Sequence, residues 1–169
     1  RALLAADLAK STRESYAMDA AGFMLTQSRY LGDLRRGGLV PADGDGILQA
    51  QIRDPGGDVV AGFVPAGDEP RPRTQIAQQA IDLAASGGAR EGAILDPYRN
   101  YRGADVIGAW RWLPGKNMAV VVEIDAAEAY APLRYLETAF GLLMGFMAAA
   151  VLAALASALW AMRLKQREA

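Results

Sequence analysis

The sequence predicts an α+β domain, an antiparallel sheet flanked by helices, followed by one C-terminal transmembrane helix. Three observations carry that expectation. Residues 139–162, AFGLLMGFMAAAVLAALASALWAM, run for 24 residues without a charge. Residues 93–125 hold three strand-like runs separated by Gly- and Asn-containing turns. Residues 75–86 form an amphipathic helical stretch between Thr74 and the pair Gly87 and Gly88.

The elements follow in order. Residues 1–10 place Leu3, Leu4 and Leu8 on an amphipathic stretch that reads as the end of an N-terminal helix reaching to residue 13. Ser15–Asp19 and Gly22–Gln27 read as two strands joined by the turn Asp19-Ala-Ala-Gly22. Leu31–Leu39 is a short helix stopped by Gly37 and Gly38. Asp43-Gly-Asp-Gly46 resembles half of a calcium loop, but Asp54 stands where the bidentate Glu belongs, so it reads as a turn.

Ile47–Arg53 and Val59–Val64 flank Asp54-Pro-Gly-Gly57, a hairpin signal, and Pro65–Arg73 is a loop with three prolines. Thr74 caps a helix over Gln75–Ser86. Three strands complete the domain: Ala93–Arg102, interrupted by Pro97, then Ala104–Leu113 and Met118–Asp125. Arg102-Gly103 and Pro114-Gly-Lys-Asn117 turn the chain between them. The last strand is β-branched enough to be central. Residues 14–125 are thus one domain of PAS-like character, and residues 126–138 are a linking helix expected to enter the membrane without a flexible tether.

At ~1.5 Å per residue the uncharged stretch measures roughly 36 Å, enough to cross a ~30 Å hydrocarbon core with some tilt. Arg163, Lys165 and Arg167 follow it at once, whereas Arg134 on the other flank is offset by Glu137. The positive-inside rule puts residues 163–169 in the cytoplasm and residues 1–138 outside a bacterial inner membrane, with Trp160, Tyr130 and Tyr135 as interfacial anchors. Gly141, Gly145, Ala149, Ala153 and Ser157 recur every four positions, a stripe that suits close helix packing in a homodimer. An Ala-rich helix also produces such a stripe by chance. The start at Arg1 and the charged C-terminal stub are expected of a piece of a longer protein.

Composition removes several function classes. Eighteen Lys and Arg against nineteen Asp and Glu give a net charge of −1, which supplies no basic field for nucleic acid. The absence of Cys and His excludes a disulfide framework, Ser-His-Asp and Cys-His catalysis, and histidine or thiolate zinc sites. No catalytic group, metal or cofactor is expected, and only carboxylate or lysine chemistry remains on paper.

The candidate binding residues lie around the sheet. Tyr98, Tyr101, Arg102, Asp105, Trp110, Arg111 and Trp112 concentrate aromatics and charge. Such a set suits a cage for an amino acid, amine or carboxylate: an Arg holds a carboxylate bidentately and Asp105 an ammonium. The same pattern suits aromatics that fill a core while the arginines stay solvated. Alternation puts Val106, Gly108, Trp110 and Trp112 on one strand face and Asp105, Ile107, Ala109 and Arg111 on the other. Arg29 reads as a rim contact for an anion or as a plain surface residue. Glu123 and Asp125 share a face and suit acid–base or cation chemistry. Asp125 also suits the N-cap of the helix that follows.

The hairpin of residues 14–29, the segment Tyr98-Arg-Asn-Tyr-Arg-Gly103 with Val106-Ile-Gly-Ala-Trp110, the strand Val121–Asp125 and Glu128-Ala-Tyr130 before a membrane helix together resemble a Cache sensor domain. The resemblance covers roughly residues 14–167. It implies the membrane-proximal lobe of a double Cache region of a bacterial transmembrane receptor, with a serine/threonine kinase or a histidine kinase as cytoplasmic output. Small ligands in that family usually bind the distal lobe, so this lobe is expected to sense or to transmit. A tail-anchored envelope scaffold that binds a protein partner is the alternative, and a membrane-tethered carboxylate hydrolase is the third reading.

Overall fold

A computed structural model describes residues 11–67 and 71–167. The helix expected within residues 1–10 lies outside the described residues. The chain divides into two compact units, residues 1–129 and 130–169.

The first unit contains β1 (Glu14–Asp19), α1 (Leu31–Arg36), α2 (Gln75–Ala85), β2 (Glu91–Arg99), β3 (Asp105–Leu113), a 3-10 turn (Pro114–Lys116), β4 (Met118–Asp125) and the short α3 (Ala126–Ala129). The four strands make one antiparallel sheet in the order β1-β4-β3-β2. β4, the strand richest in valine, lies between β1 and β3, where both of its edges find partners. The α+β class and the antiparallel sheet agree with the sequence expectation.

Period-two alternation builds the core. Val106, Trp110 and Trp112 of β3 and Ala119 and Val121 of β4 are buried, whereas Asp105, Ala109 and Arg111 face out. Against the inner face pack Ile76, Ala77 and Ala80 of α2 and Leu34 of α1. Thr74 caps α2 by accepting from the Ala77 N–H at 3.4 Å.

Three expectations change. Gly22–Gln27 does not form a strand. The Thr26 hydroxyl takes the Ala17 N–H at 3.2 Å, so a side chain replaces a rung of the ladder and only the bridge Met18–Met24 forms to β1. The hairpin at Asp54-Pro-Gly-Gly57 is also absent. Arg53 bridges Arg73 instead, and the Val59 N–H donates to the Arg102 carbonyl at 2.9 Å. Asp54 and Asp58 accept from the amides of Gly56 and Val60, each at 2.8 Å, and fold this stretch into side-chain-closed turns.

The third change concerns the linking helix. α3 stops at Ala129, Tyr130 is a turn, and a new helix α4 runs over Ala131–Arg167. Pro132 explains the break. In one continuous helix its ring would clash with the Glu128 carbonyl and leave it without a donor. At the second position of α4 the missing N–H costs nothing. Within α4, the stretch Ala131–Arg163 contains an 18-residue window with a mean hydropathy of 2.3 and is long and apolar enough to cross a membrane.

Pro97 marks a further irregularity. β2 pairs Ile94 with Gly108 and Tyr98 with Val106, so it carries two more residues than β3 over the same span.

Candidate functional site

The sheet register sets two carboxyl groups face to face. Glu14 of β1 stands opposite Glu123 of β4, and both point into the core, at 7% and 2% exposure. Glu123 accepts from the Tyr98 hydroxyl at 2.7 Å and from the Asn100 side-chain amide at 3.1 Å. The Asn100 carbonyl oxygen accepts from the amides of Arg102 and Ala104, which fixes its NH2 toward Glu123. Glu14 accepts from the Tyr101 hydroxyl and from the Arg29 N–H at 3.0 Å. Ser28 completes that arm through a 2.8 Å bond between its hydroxyl and that of Tyr101.

Tyr16 lies between the two arms. Its ring meets Tyr101 edge-on with centroids 5.5 Å apart. Its hydroxyl is buried close enough to Glu123 to feel its charge, yet makes no hydrogen bond of normal geometry.

Burial pushes the Glu123 carboxyl up to about 7, against the hydrogen bonds from Tyr98 and Asn100 that hold it down, and the Glu14 charge adds to the rise. Burial likewise raises the hydroxyls of Tyr16, Tyr98 and Tyr101, reinforced by the carboxylates beside them.

A second group adjoins the first. Arg102, only 4% exposed, pairs with Asp125 at 2.6 Å and lies 4.0 Å over the Tyr30 ring. One oxygen of the Asp125 carboxylate accepts a hydrogen bond from this guanidinium. The Asp125 N–H donates to the Thr12 hydroxyl at 3.0 Å. Glu128 then accepts from the Ser11 hydroxyl, the Thr12 amide and the Thr12 hydroxyl, bonds that hold its carboxyl below the ordinary range. The chain entering β1 is thereby fastened to the chain leaving β4.

The eight candidate residues fall into several groups. Tyr98, Tyr101 and Arg102 join the buried polar cluster. Trp110 and Trp112 fill the core further along β3, with the Trp110 indole N–H on the Gln79 carbonyl oxygen at 3.1 Å. Arg111 is exposed beside Glu91 at 3.7 Å. Asp105 borders an open groove of about 460 Å³ that Tyr98 also lines, with Asp54, Arg73, Thr74 and Arg99. Arg29 turns its guanidinium to the carbonyls of Ser11 and Arg13, at 2.8 and 2.9 Å, and so braces the chain before β1. The four aromatics are buried in the core, yet Tyr98 reaches the groove beside Asp105, and Trp110 and Arg111 both line a depression on the outer face of the sheet.

Glu14, Tyr16 and Asn100 were not among the expected site residues. A signal existed for Glu14: it is in phase with Tyr16 and Met18, the buried positions of β1. Among the described residues no group of three Asp or Glu is placed to hold a metal ion.

Part of the outer face of the sheet is apolar, bordered by Glu91 and Arg111. Val120, Val122, Ala109 and Leu113 floor an open depression of about 650 Å³. No protein-family model, curated protein or solved structure matches this chain.

Proposed function

We propose that this chain is the extracytoplasmic sensing or signal-transmitting part of a bacterial transmembrane receptor, a PAS-like lobe of the Cache type that relays a conformational change through α4 to a cytoplasmic output module. The observation that carries the reading is the fastening of Ser11 and Thr12 to Asp125 and Glu128. Any rearrangement of the buried cluster acts on the strand β4, whose next residues lead into a membrane-length helix. α4 serves as a single span with residues 163–169 in the cytoplasm, and its Gly141, Gly145, Ala149, Ala153 and Ser157 stripe pairs two copies.

The chain lacks cysteine, which makes single-cysteine probes clean. In intact cells a membrane-impermeant maleimide should label Lys116→Cys and spare Gln166→Cys. Disulfide cross-linking should be faster for Gly145→Cys than for Leu143→Cys. Equal labelling of the two probes overturns the topology, and equal cross-linking overturns the paired stripe.

The apolar patch on the outer face favours a second reading, an envelope scaffold that binds a protein partner. The readings part on whether cross-linking along α4 responds to any change outside the membrane. A receptor's pattern shifts and a scaffold's does not.

A further inference from the structure

We propose that the cross-strand pair Glu14–Glu123 is a proton-binding site, and that protons are an input to which this domain responds. The second half rests on the sensing reading above; the first is a property of the folded chain alone.

Two carboxyl groups face each other in register inside an apolar core. Everything that surrounds them is neutral or engaged elsewhere. From β1 comes Tyr16; from β2, Tyr98; from the following loop, Asn100 and Tyr101; from the segment before α1, Ser28 and the Arg29 amide. β3 sets Gly108 against Glu123, and α2 contributes the Ile76 side chain. The nearby charges are spoken for: Arg102 lies on Asp125 and Tyr30, and the Arg29 guanidinium lies on main-chain carbonyls.

Both carboxyls ionised would put two like charges opposite each other across a strand pair, in a medium that screens them poorly. The cluster relieves this by keeping a proton on Glu123.

Tyr16 supplies an independent observation. Its buried hydroxyl lacks a hydrogen bond, next to a carboxyl that already accepts two. A protonated Glu123 has an O–H to give, and the Tyr16 oxygen can accept it. Protonation therefore reverses the sense in which Tyr16 can bond to Glu123, since the ionised carboxylate can only accept from the tyrosine hydroxyl. Loss of the proton also sets the charges of β1 and β4 against each other beside the Thr12 fastening.

The test uses the full chain in detergent micelles, with infrared spectroscopy of the carboxylic-acid carbonyl band across about pH 5 to pH 9. A band present at the acid end should fade as pH rises through about 7. Glu123→Gln should remove the titrating band, and Glu14→Gln should move the titration of Glu123 to lower pH. Asp105→Asn, an exposed control, should change neither. Absence of a protonated band at the acid end overturns the proton site, as does a band that titrates unchanged in both glutamine variants. If Glu123→Gln does not fold, the wild-type band and the Glu14→Gln shift decide.

For the input role, cross-linking at Gly145→Cys should differ between the two ends of the range and lose that difference with Glu123→Gln. A titrating band with a pH-independent cross-linking pattern overturns protons as the input, while the topology is decided separately by the labelling.

Discussion

Replacing Gly103 by Ala tests how the loop bearing Tyr101 and Arg102 is held. Gly103 has φ +79°, and a methyl on its Cα overlaps the Gly57 carbonyl and comes within 3.0 Å of the Asp58 nitrogen. Both obstacles are backbone, so neither can swing aside. The left-handed conformation costs a non-glycine residue roughly 1–2 kcal/mol. To admit the methyl, residues 57–59 must withdraw, which breaks the hydrogen bond from the Val59 N–H to the Arg102 carbonyl. That loss costs about 1 kcal/mol. Part of the burial of Val59 goes with it, a side chain whose full exposure costs roughly 1.5–3 kcal/mol.

The total is about 3–5 kcal/mol, a large share of a domain's stability. Gly115→Ala is the control, because nothing lies near its Cα and its φ is not positive. It should stay within about 0.5 kcal/mol of wild type. Urea denaturation of the full chain in micelles, followed by tryptophan fluorescence, measures both. A Gly103→Ala midpoint equal to that of Gly115→Ala would refute the close approach of the two turns.

Other outcomes follow from the same contacts. The folded Glu123 carboxyl holds its proton more tightly than the unfolded chain does, so its contribution is fully present below about pH 4.5 and is lost as pH rises through about 7. The loss is roughly 3 kcal/mol, read as a falling denaturation midpoint that Glu123→Gln should flatten. Arg102→Met strands Asp125 and should cost about 2–3 kcal/mol. That is less than for a fully buried pair, since the Asp125 side chain keeps 26% of its surface. Arg102→Lys should not restore it, because a point charge lacks the flat guanidinium that covers Tyr30. Thr12→Val removes the acceptor of the Asp125 amide and a donor to Glu128. It should lower stability by about 1–2 kcal/mol and speed hydrogen exchange at Asp125.

The regular parts of this fold were legible because long-range packing and local pattern agree there. Trp110 and Trp112 alternate with Ala109 and Arg111, and the burial follows that period. Thr74 and Gly87 bracket α2 as capping chemistry requires. Between residues 19 and 64 the two levels disagree. Val59, Val60 and Ile47 look like strand residues, but Asp58 and Asp45 capture the amides of Val60 and Ile47 and close turns instead. The polar cluster was legible only in part. Tyr98 and Tyr101 invited attention, while pairing Glu14 with Glu123 depends on a strand register between positions about a hundred residues apart, which no local pattern encodes.

The bulge in β2 governs how such chains behave when crowded. An outermost strand is a template on which a neighbour can add its own, and uncontrolled addition ends in aggregates. At β2 that template is interrupted between Ile94 and Tyr98, and Pro97 has no N–H to offer a newcomer. On the opposite border, Leu25 and Phe23 already occupy main-chain groups of Ala17 and Asp19. Neither margin of the sheet invites growth, so copies held side by side at high local density can meet through faces and helices without fusing their backbones.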